Sequence, residues 1–306
     1  MQSCIGRSEW ACTIQWERGC IEMMNTGRLL ISCPDRPGIV ASLAQFLYER
    51  NANITHSDQH SSDPSGGVFF MRIQFEMEGL TERFSALQRE FAGVAKRFEM
   101  KWRMERAAKL KRLAVLVSRE EHCLLELIWQ QRSGDLKAEI AMVIGNHKSL
   151  GQVAQQYNLP FYHVDVKAND KSEAERRIQE LISGKVDAII LARYMQILSS
   201  DFIKPWEYRI INIHHSFLPA FVGAKPYQQA YDRGVKLIGA TAHYVTTELD
   251  AGPIIEQDVQ RVDHRHNPED LRRIGRQIER VVLARAVSWH VEDKILVLDN
   301  KTVVFA

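Results

Sequence analysis

Leu113-Ala114-Val115-Leu116-Val117 is an unbroken apolar run, and Ser118-Arg119-Glu120-Glu121 after it leads into a helical stretch over 120–132. The same alternation recurs downstream. Residues 140–144 read as a strand ending in Gly145-Asn146-His147, and 150–157 as a helix. Residues 161–164 are a strand, 172–182 a helix, 187–191 a strand, and 209–213 a further strand after an irregular crossover. Continuous apolar strands bury both faces, so their alternation with helices argues an α/β fold on an open, mostly parallel sheet. Function in such sheets sits beyond the carboxyl ends of the strands.

Upstream lies a smaller pattern. Leu29-Leu30-Ile31-Ser32-Cys33 is a short strand, and Pro34-Asp35-Arg36-Pro37-Gly38 turns it into a helix with an apolar stripe at Ile39, Val40, Leu43, Phe46 and Leu47. A second strand starts at Ile54 and ends at the Asp63-Pro64-Ser65-Gly66-Gly67 turn. In the third, Phe69, Met71, Ile73, Phe75 and Met77 share one face and Arg72, Gln74 and Glu76 the other. Phe84, Leu87, Phe91, Val94 and Phe98 repeat at helical spacing, and 101–105 is a last strand. The order is βαββαβ, a ferredoxin-like unit. The expected organisation is a disordered extension over 1–27, this unit over 28–106, a short basic linker over 106–112, and the large sheet over 112–306.

With 306 residues, 45% of them apolar, the chain has material for two cores. Forty Lys plus Arg against 38 Asp plus Glu leave a net charge of +2, which gives no reason to expect a nucleic-acid partner. No apolar run approaches the ~20 residues that span a bilayer, so no membrane role is expected. Five cysteines are an odd count and read as reduced thiols in a cytoplasmic compartment. Cys4, Cys12 and Cys20 are eight residues apart, too far for the usual pairs of a zinc site. No secretory signal precedes them, and Met23-Met24, just before the first strand, reads as the translation start.

The turn at 118–121 lacks glycine, so it is neither a dinucleotide fingerprint nor a P-loop, and Cys123 beyond it reads as a small helix residue. The informative turn is Asn212-Ile213-His214-His215-Ser216-Phe217-Leu218-Pro219. On a strand, Asn212 and His214 point to one side, an amide beside an imidazole at a strand's carboxyl end. His215 is expected to point elsewhere, and no nucleophile elbow surrounds Ser216. Asp250 follows 36 residues after His214, in the Glu248-Leu249-Asp250-Ala251-Gly252-Pro253 loop. By spacing alone, Asn-x-His is a common pair and Asp250 an ordinary turn former. Together they supply an oxyanion donor, a proton shuttle and an orienting anion.

The Asp35-Arg36-Pro37-Gly38 turn in its βαββαβ setting resembles an ACT domain. That resemblance implies edge-to-edge pairing into a homo-oligomer and an amino-acid effector near Asp35, Arg36, Gly38 and Asn53. Backbone amides at a helix N-terminus suit a carboxylate. The alternative is a module used for assembly only. The Asn-Ile-His-x-Ser-x-Leu-Pro segment is followed by Gly223-Ala224-Lys225-Pro226-Tyr227, Thr241-x-His243-Tyr244-Val245 and Asp250-x-Gly252-Pro253. In that order these motifs resemble the Rossmann-like catalytic domain of formyltransferases that use 10-formyltetrahydrofolate. With the ACT-like unit in front, the chain resembles, more narrowly, the formyltetrahydrofolate deformylase family, over roughly residues 28 to 300.

That resemblance implies catalytic roles for Asn212, His214 and Asp250, with His243 in support. It implies a folate site built from Arg193, Met195, Gln196 and Leu198 on one side and Thr246, Thr247 and Glu248 on the other. The implied reaction is attack of water on the formyl group, releasing formate and tetrahydrofolate for one-carbon balance and purine synthesis, with no metal or redox cofactor. The family's transferase of purine synthesis holds a phosphorylated amine on a glycine-rich first turn, which Ser118-Arg119-Glu120-Glu121 does not provide. Formyl transfer to another amine, or a folate or amino-acid sensor with a vestigial site, are the alternatives.

Overall fold

The computed structural model describes residues 24–63, 66–166, 171–219 and 226–306. The extension through Met23 with its three cysteines, Pro64-Ser65 and the Gly223-Ala224-Lys225 motif lie outside the described residues. The chain forms two compact units. One ends at Lys109 and includes Phe305–Ala306; the other is Leu110–Val304.

In the first unit β1 (Thr26–Pro34), α1 (Ile39–Tyr48), β2 (Asn53–Ser61), β3 (Val68–Glu76), α2 (Leu80–Arg97) and β4 (Lys101–Arg106) follow the expected βαββαβ order. The sheet runs β2-β3-β1-β4, and each pair is antiparallel. Strand β1 starts at Thr26, so residues 26–27 are strand rather than extension. Alternation turns Leu29, Ile31, Ile73 and Phe75 toward Leu43, Leu47 and Phe91 of the helices. The opposite face is not the polar surface that Arg72 suggested, since Leu30, Phe70 and Arg72 are buried as well.

The first strand of the second unit starts at Lys111, so the segment between the strands of the two units is residues 107–110. Its elements are β5 (Lys111–Val117), α3 (His122–Ser133), β6 (Ala138–Gly145), α4 (Gly151–Gln156), β7 (Phe161–His163), α5 (Lys171–Ile182), β8 (Ala188–Ala192), α6 (Ser200–Ile203), β9 (Ile210–His214), α7 (Pro226–Asp232), β10 (Leu237–Tyr244), β11 (Ile254–Arg261) and α8 (Pro268–Val291). The sheet order is β11-β10-β9-β8-β5-β6-β7. Strands β5 to β9 are mutually parallel, while β10 and β11 are antiparallel. The two-residue period sorts β5 into two cores. Leu113, Val115 and Val117 pack with α3 and α8, whereas Ala114 and Leu116 pack with α5 and Trp206.

Helix α8 and the terminal hairpin of β12 (Ile295–Leu298) and β13 (Lys301–Val304) were not expected from the sequence. A start signal for α8 is present all the same. Asn267 accepts hydrogen bonds from the Glu269 and Asp270 amides, Asp270 accepts one from the Asn267 amide, and Pro268 opens the first turn.

Candidate active site

The site grows from the end of β9. Asn212 and His214 point to one side, and antiparallel β10 sets His243 opposite Asn212 and Thr241 opposite His214. Burial holds the His243 ring below its ordinary pKa, so the neutral ring is favoured. Its Nδ1–H donates to the Tyr244 carbonyl at 2.9 Å. That leaves Nε2 as an acceptor for the Asn212 amide nitrogen at 3.2 Å. The second N–H of the same amide then remains for a ligand.

After β10 the chain loops over 245–253 and returns as β11. Gly252 makes the loop possible, because a Cβ there would lie 1.8 Å from the Tyr244 carbonyl oxygen. The Tyr244 amide donates to the Pro253 carbonyl at 2.9 Å and pins the base of the loop. Two residues earlier Asp250 adopts a left-handed backbone at φ 54°, uncommon for a residue with a side chain. Its Oδ2 lies 3.3 Å from His214 Nδ1, and its Oδ1 3.7 Å from His243 Nε2. The His214 contact holds the Asp250 carboxyl below the ordinary range, against the opposing effect of burial. His214 is itself buried, and its Nε2 has no hydrogen-bond partner among the described residues. An unpaired buried nitrogen marks a position for a water or substrate group.

These residues line one cavity of about 420 Å³. One wall is the 193–198 segment with Arg193, Met195, Gln196 and Leu198, and the opposite wall carries Thr246, Thr247 and Glu248. Ser118 accepts a hydrogen bond from the Met195 amide at 3.0 Å, so the glycine-free first turn anchors this wall. Tyr194 and Ile197 of the same segment and Leu249 of the 246–250 loop complete these walls. Met195, Ile197 and Leu249 are more than half exposed apolar groups, suited to covering a flat ring.

His215 departs from expectation. Strand β9 ends at His214, so side-chain alternation stops there, and His215 lines the cavity with its ring 5.3 Å from that of His214. Burial lowers its pKa to about 4. Arg193 also does more than line a wall. Its guanidinium Nε lies 3.3 Å from Glu279 of α8. Glu279 also pairs with His122 at 2.8 Å and accepts the Tyr227 hydroxyl at 2.5 Å. Gly275 opens the slot for Tyr227, since a Cβ there would lie 1.9 Å from that hydroxyl. Burial by itself raises the Glu279 pKa, but His122, Arg193 and Tyr227 outweigh it and bring it to about 2. His122, Cys123 and Glu279 place possible metal donors within 4.8 Å of one another. Burial pushes the Cys123 thiol well up, which favours the protonated form, a poor ligand.

In the first unit Asp35 accepts the Ser61 hydroxyl at 2.5 Å, and Arg36 donates to the Arg97 carbonyl at 2.7 Å. Gly38, at φ 91°, starts α1 in a conformation few other residues adopt, and Asn53 opens β2 opposite Glu76. The turn's two charged side chains are therefore engaged by their own unit.

These buried groups set the sign of the acid response. His215, His243, Asp250 and Glu279 all have folded-state pKa values below their ordinary ones. Each contributes stability that is present above its unfolded pKa and lost as pH falls through the folded one. The histidines act first, from about pH 6.5 downward. The melting temperature is therefore expected to fall between pH 7.5 and pH 5. A value that stays level or rises across that interval would contradict the assignment.

Comparison with known proteins follows the same division. The formyl transferase family model matches residues 111–287, and the ACT domain model matches residues 27–81. A formyltetrahydrofolate deformylase of Bacillus subtilis is 56% identical over 91% of this chain and 93% of its own length. The crystal structure of a formyltetrahydrofolate deformylase from Pseudomonas syringae superposes with a TM-score of 0.89 at 46% identity, covering 97% of this chain and all of that one. A glycinamide ribonucleotide transformylase from Symbiobacterium toebii is similar to 64% of the chain, at 28% identity and a TM-score of 0.62. An ACT unit, a formyl transferase unit and this full-length likeness together mean that the chain belongs to the formyltetrahydrofolate deformylase family.

Proposed function

We propose that this chain hydrolyses 10-formyltetrahydrofolate to formate and tetrahydrofolate. The observation that carries the reading is the convergence of Asn212, His214 and Asp250 on one cavity with apolar walls. The pterin lies between the 193–198 segment and the 246–250 loop, where main-chain groups and exposed apolar side chains meet its edge and face. Water adds to the formyl carbon, losing a proton to the His214 ring, and the carbonyl oxygen becomes an oxyanion. The remaining Asn212 N–H donates to that oxygen. Asp250 holds the ring and balances the charge it acquires. The ring passes its proton to N10 as the carbon–nitrogen bond breaks. Formate leaves as an anion and releases one proton to solvent.

The residues of this site act on a folate substrate and call on no separate cofactor in the steps above. The ACT unit over 28–106 is the regulatory and assembly part, taking an amino-acid effector and pairing into a homo-oligomer, and 112–306 is the catalytic part. Family resemblance supports both assignments. Among the described residues no helix is long and apolar enough to cross a membrane. Cys33 and Cys123 are free and buried, in keeping with a cytoplasmic setting.

The decisive experiment is formate release from 10-formyltetrahydrofolate with no acceptor present. Stoichiometric formate and tetrahydrofolate are expected. Formylation of an added amine, with no formate in its absence, would overturn hydrolysis in favour of transfer.

A further inference from the structure

A second cavity of about 330 Å³ adjoins the reaction cavity and shares Arg193 and His215 with it. Its walls also carry Glu120 from the turn after β5, Tyr227 from α7, and Arg272, Arg276 and Glu279 from α8. The charges do not balance. Glu279 is already occupied by His122, Tyr227 and Arg193, and Glu120 lies 3.6 Å from Arg276. Three guanidinium groups therefore face two carboxylates. Arg193 is the best placed of the three, because one of its terminal nitrogens, Nη1, is buried without a hydrogen-bond partner among the described residues while its Nε faces Glu279. A buried guanidinium donor left unpaired is costly, and a small carboxylate entering the cavity satisfies it.

The hydrolysis proposed above makes such a carboxylate beside His214. While tetrahydrofolate fills its own cavity, that side is blocked, and the Asp250 and Glu248 carboxylates that line it repel an anion. We propose that the cavity beyond Arg193 and His215 is a formate subsite and the route by which formate leaves before tetrahydrofolate. Arg193 donates to the anion from its unpartnered Nη1, and Arg272 and Arg276 draw the anion outward. This inference rests on the hydrolysis reading and extends it to the order of product release.

Product inhibition tests it on the full chain. Formate leaving first binds while folate is in place, so its inhibition is expected to be noncompetitive against 10-formyltetrahydrofolate. In the double variant Arg272→Gln, Arg276→Gln, formate inhibition should weaken by about three- to tenfold, as expected when cations lining a cleft are removed. Acetate and chloride at equal ionic strength serve as controls for a general anion effect. Competitive inhibition, an inhibition constant unchanged in the variant, or equal potency of chloride would each overturn the subsite. A second measurement needs no turnover: line broadening of ¹³C-formate with protein preloaded with tetrahydrofolate. Broadening in the wild type that diminishes in the double variant supports the subsite, and its absence refutes it. A protein that releases no formate yet broadens the signal would refute the hydrolysis reading alone.

Discussion

His214→Ala is expected to keep its fold and lose about 10²- to 10⁴-fold in turnover, the usual worth of a positioned proton shuttle. The ring lies against Asp250 on one side, and its other nitrogen is buried with no hydrogen-bond partner among the described residues, which leaves it to take the proton from water. Asp250→Asn probes the same arrangement from the other end. An amide keeps the shape but can turn its N–H toward the ring and removes the charge that balances the imidazolium. The measurement is formate release at saturating substrate, with melting temperature and circular dichroism as checks on folding. Retention of more than about a tenth of wild-type turnover in His214→Ala would remove it from the chemistry.

Gly252→Ala is expected to be nearly as damaging although its side chain would touch no substrate. The added Cβ would fall 1.8 Å from the Tyr244 carbonyl oxygen, and that backbone is fixed by its bond to Pro253. The loop must shift, and Asp250 shifts with it. A displacement of about 1 Å in a catalytic group costs on the order of 10²-fold in rate. Overpacking at such a point costs about 1–3 kcal/mol of stability. The expected result is therefore a lower melting temperature together with turnover down by about 10²-fold. A variant as active as wild type would mean that the loop does not deliver Asp250 in the way described.

Much of this protein is legible one element at a time. Continuous apolar runs at 113–117, 140–144 and 188–191 can be satisfied only by strands buried on both faces, so the parallel sheet follows from composition and period. Asn212 and His214 are two residues apart on one strand, so their shared face is a local property. The Asp-x-Gly-Pro loop marked Asp250 through its resemblance to a known motif, and the reason for its glycine lies in a carbonyl eight residues nearer the N-terminus.

What the sequence could not determine depends on neighbours distant along the chain. The neutral state and tautomer of His243 follow from its burial and its bond to the Tyr244 carbonyl, and only the antiparallel register of β10 against β9 brings that ring to Asn212. His215 was misjudged because alternation is a rule for strands, and the strand stops one residue before it. Glu279 gave no signal at all, since a lone carboxylate in a charged helix reads as a solvated face. Folding brings His122, Arg193 and Tyr227 around it from three other segments, and with them comes the second cavity. Period and propensity are local and survive in a one-dimensional reading. Burial, charge balance and cavity shape are sums over residues that only the folded chain makes adjacent.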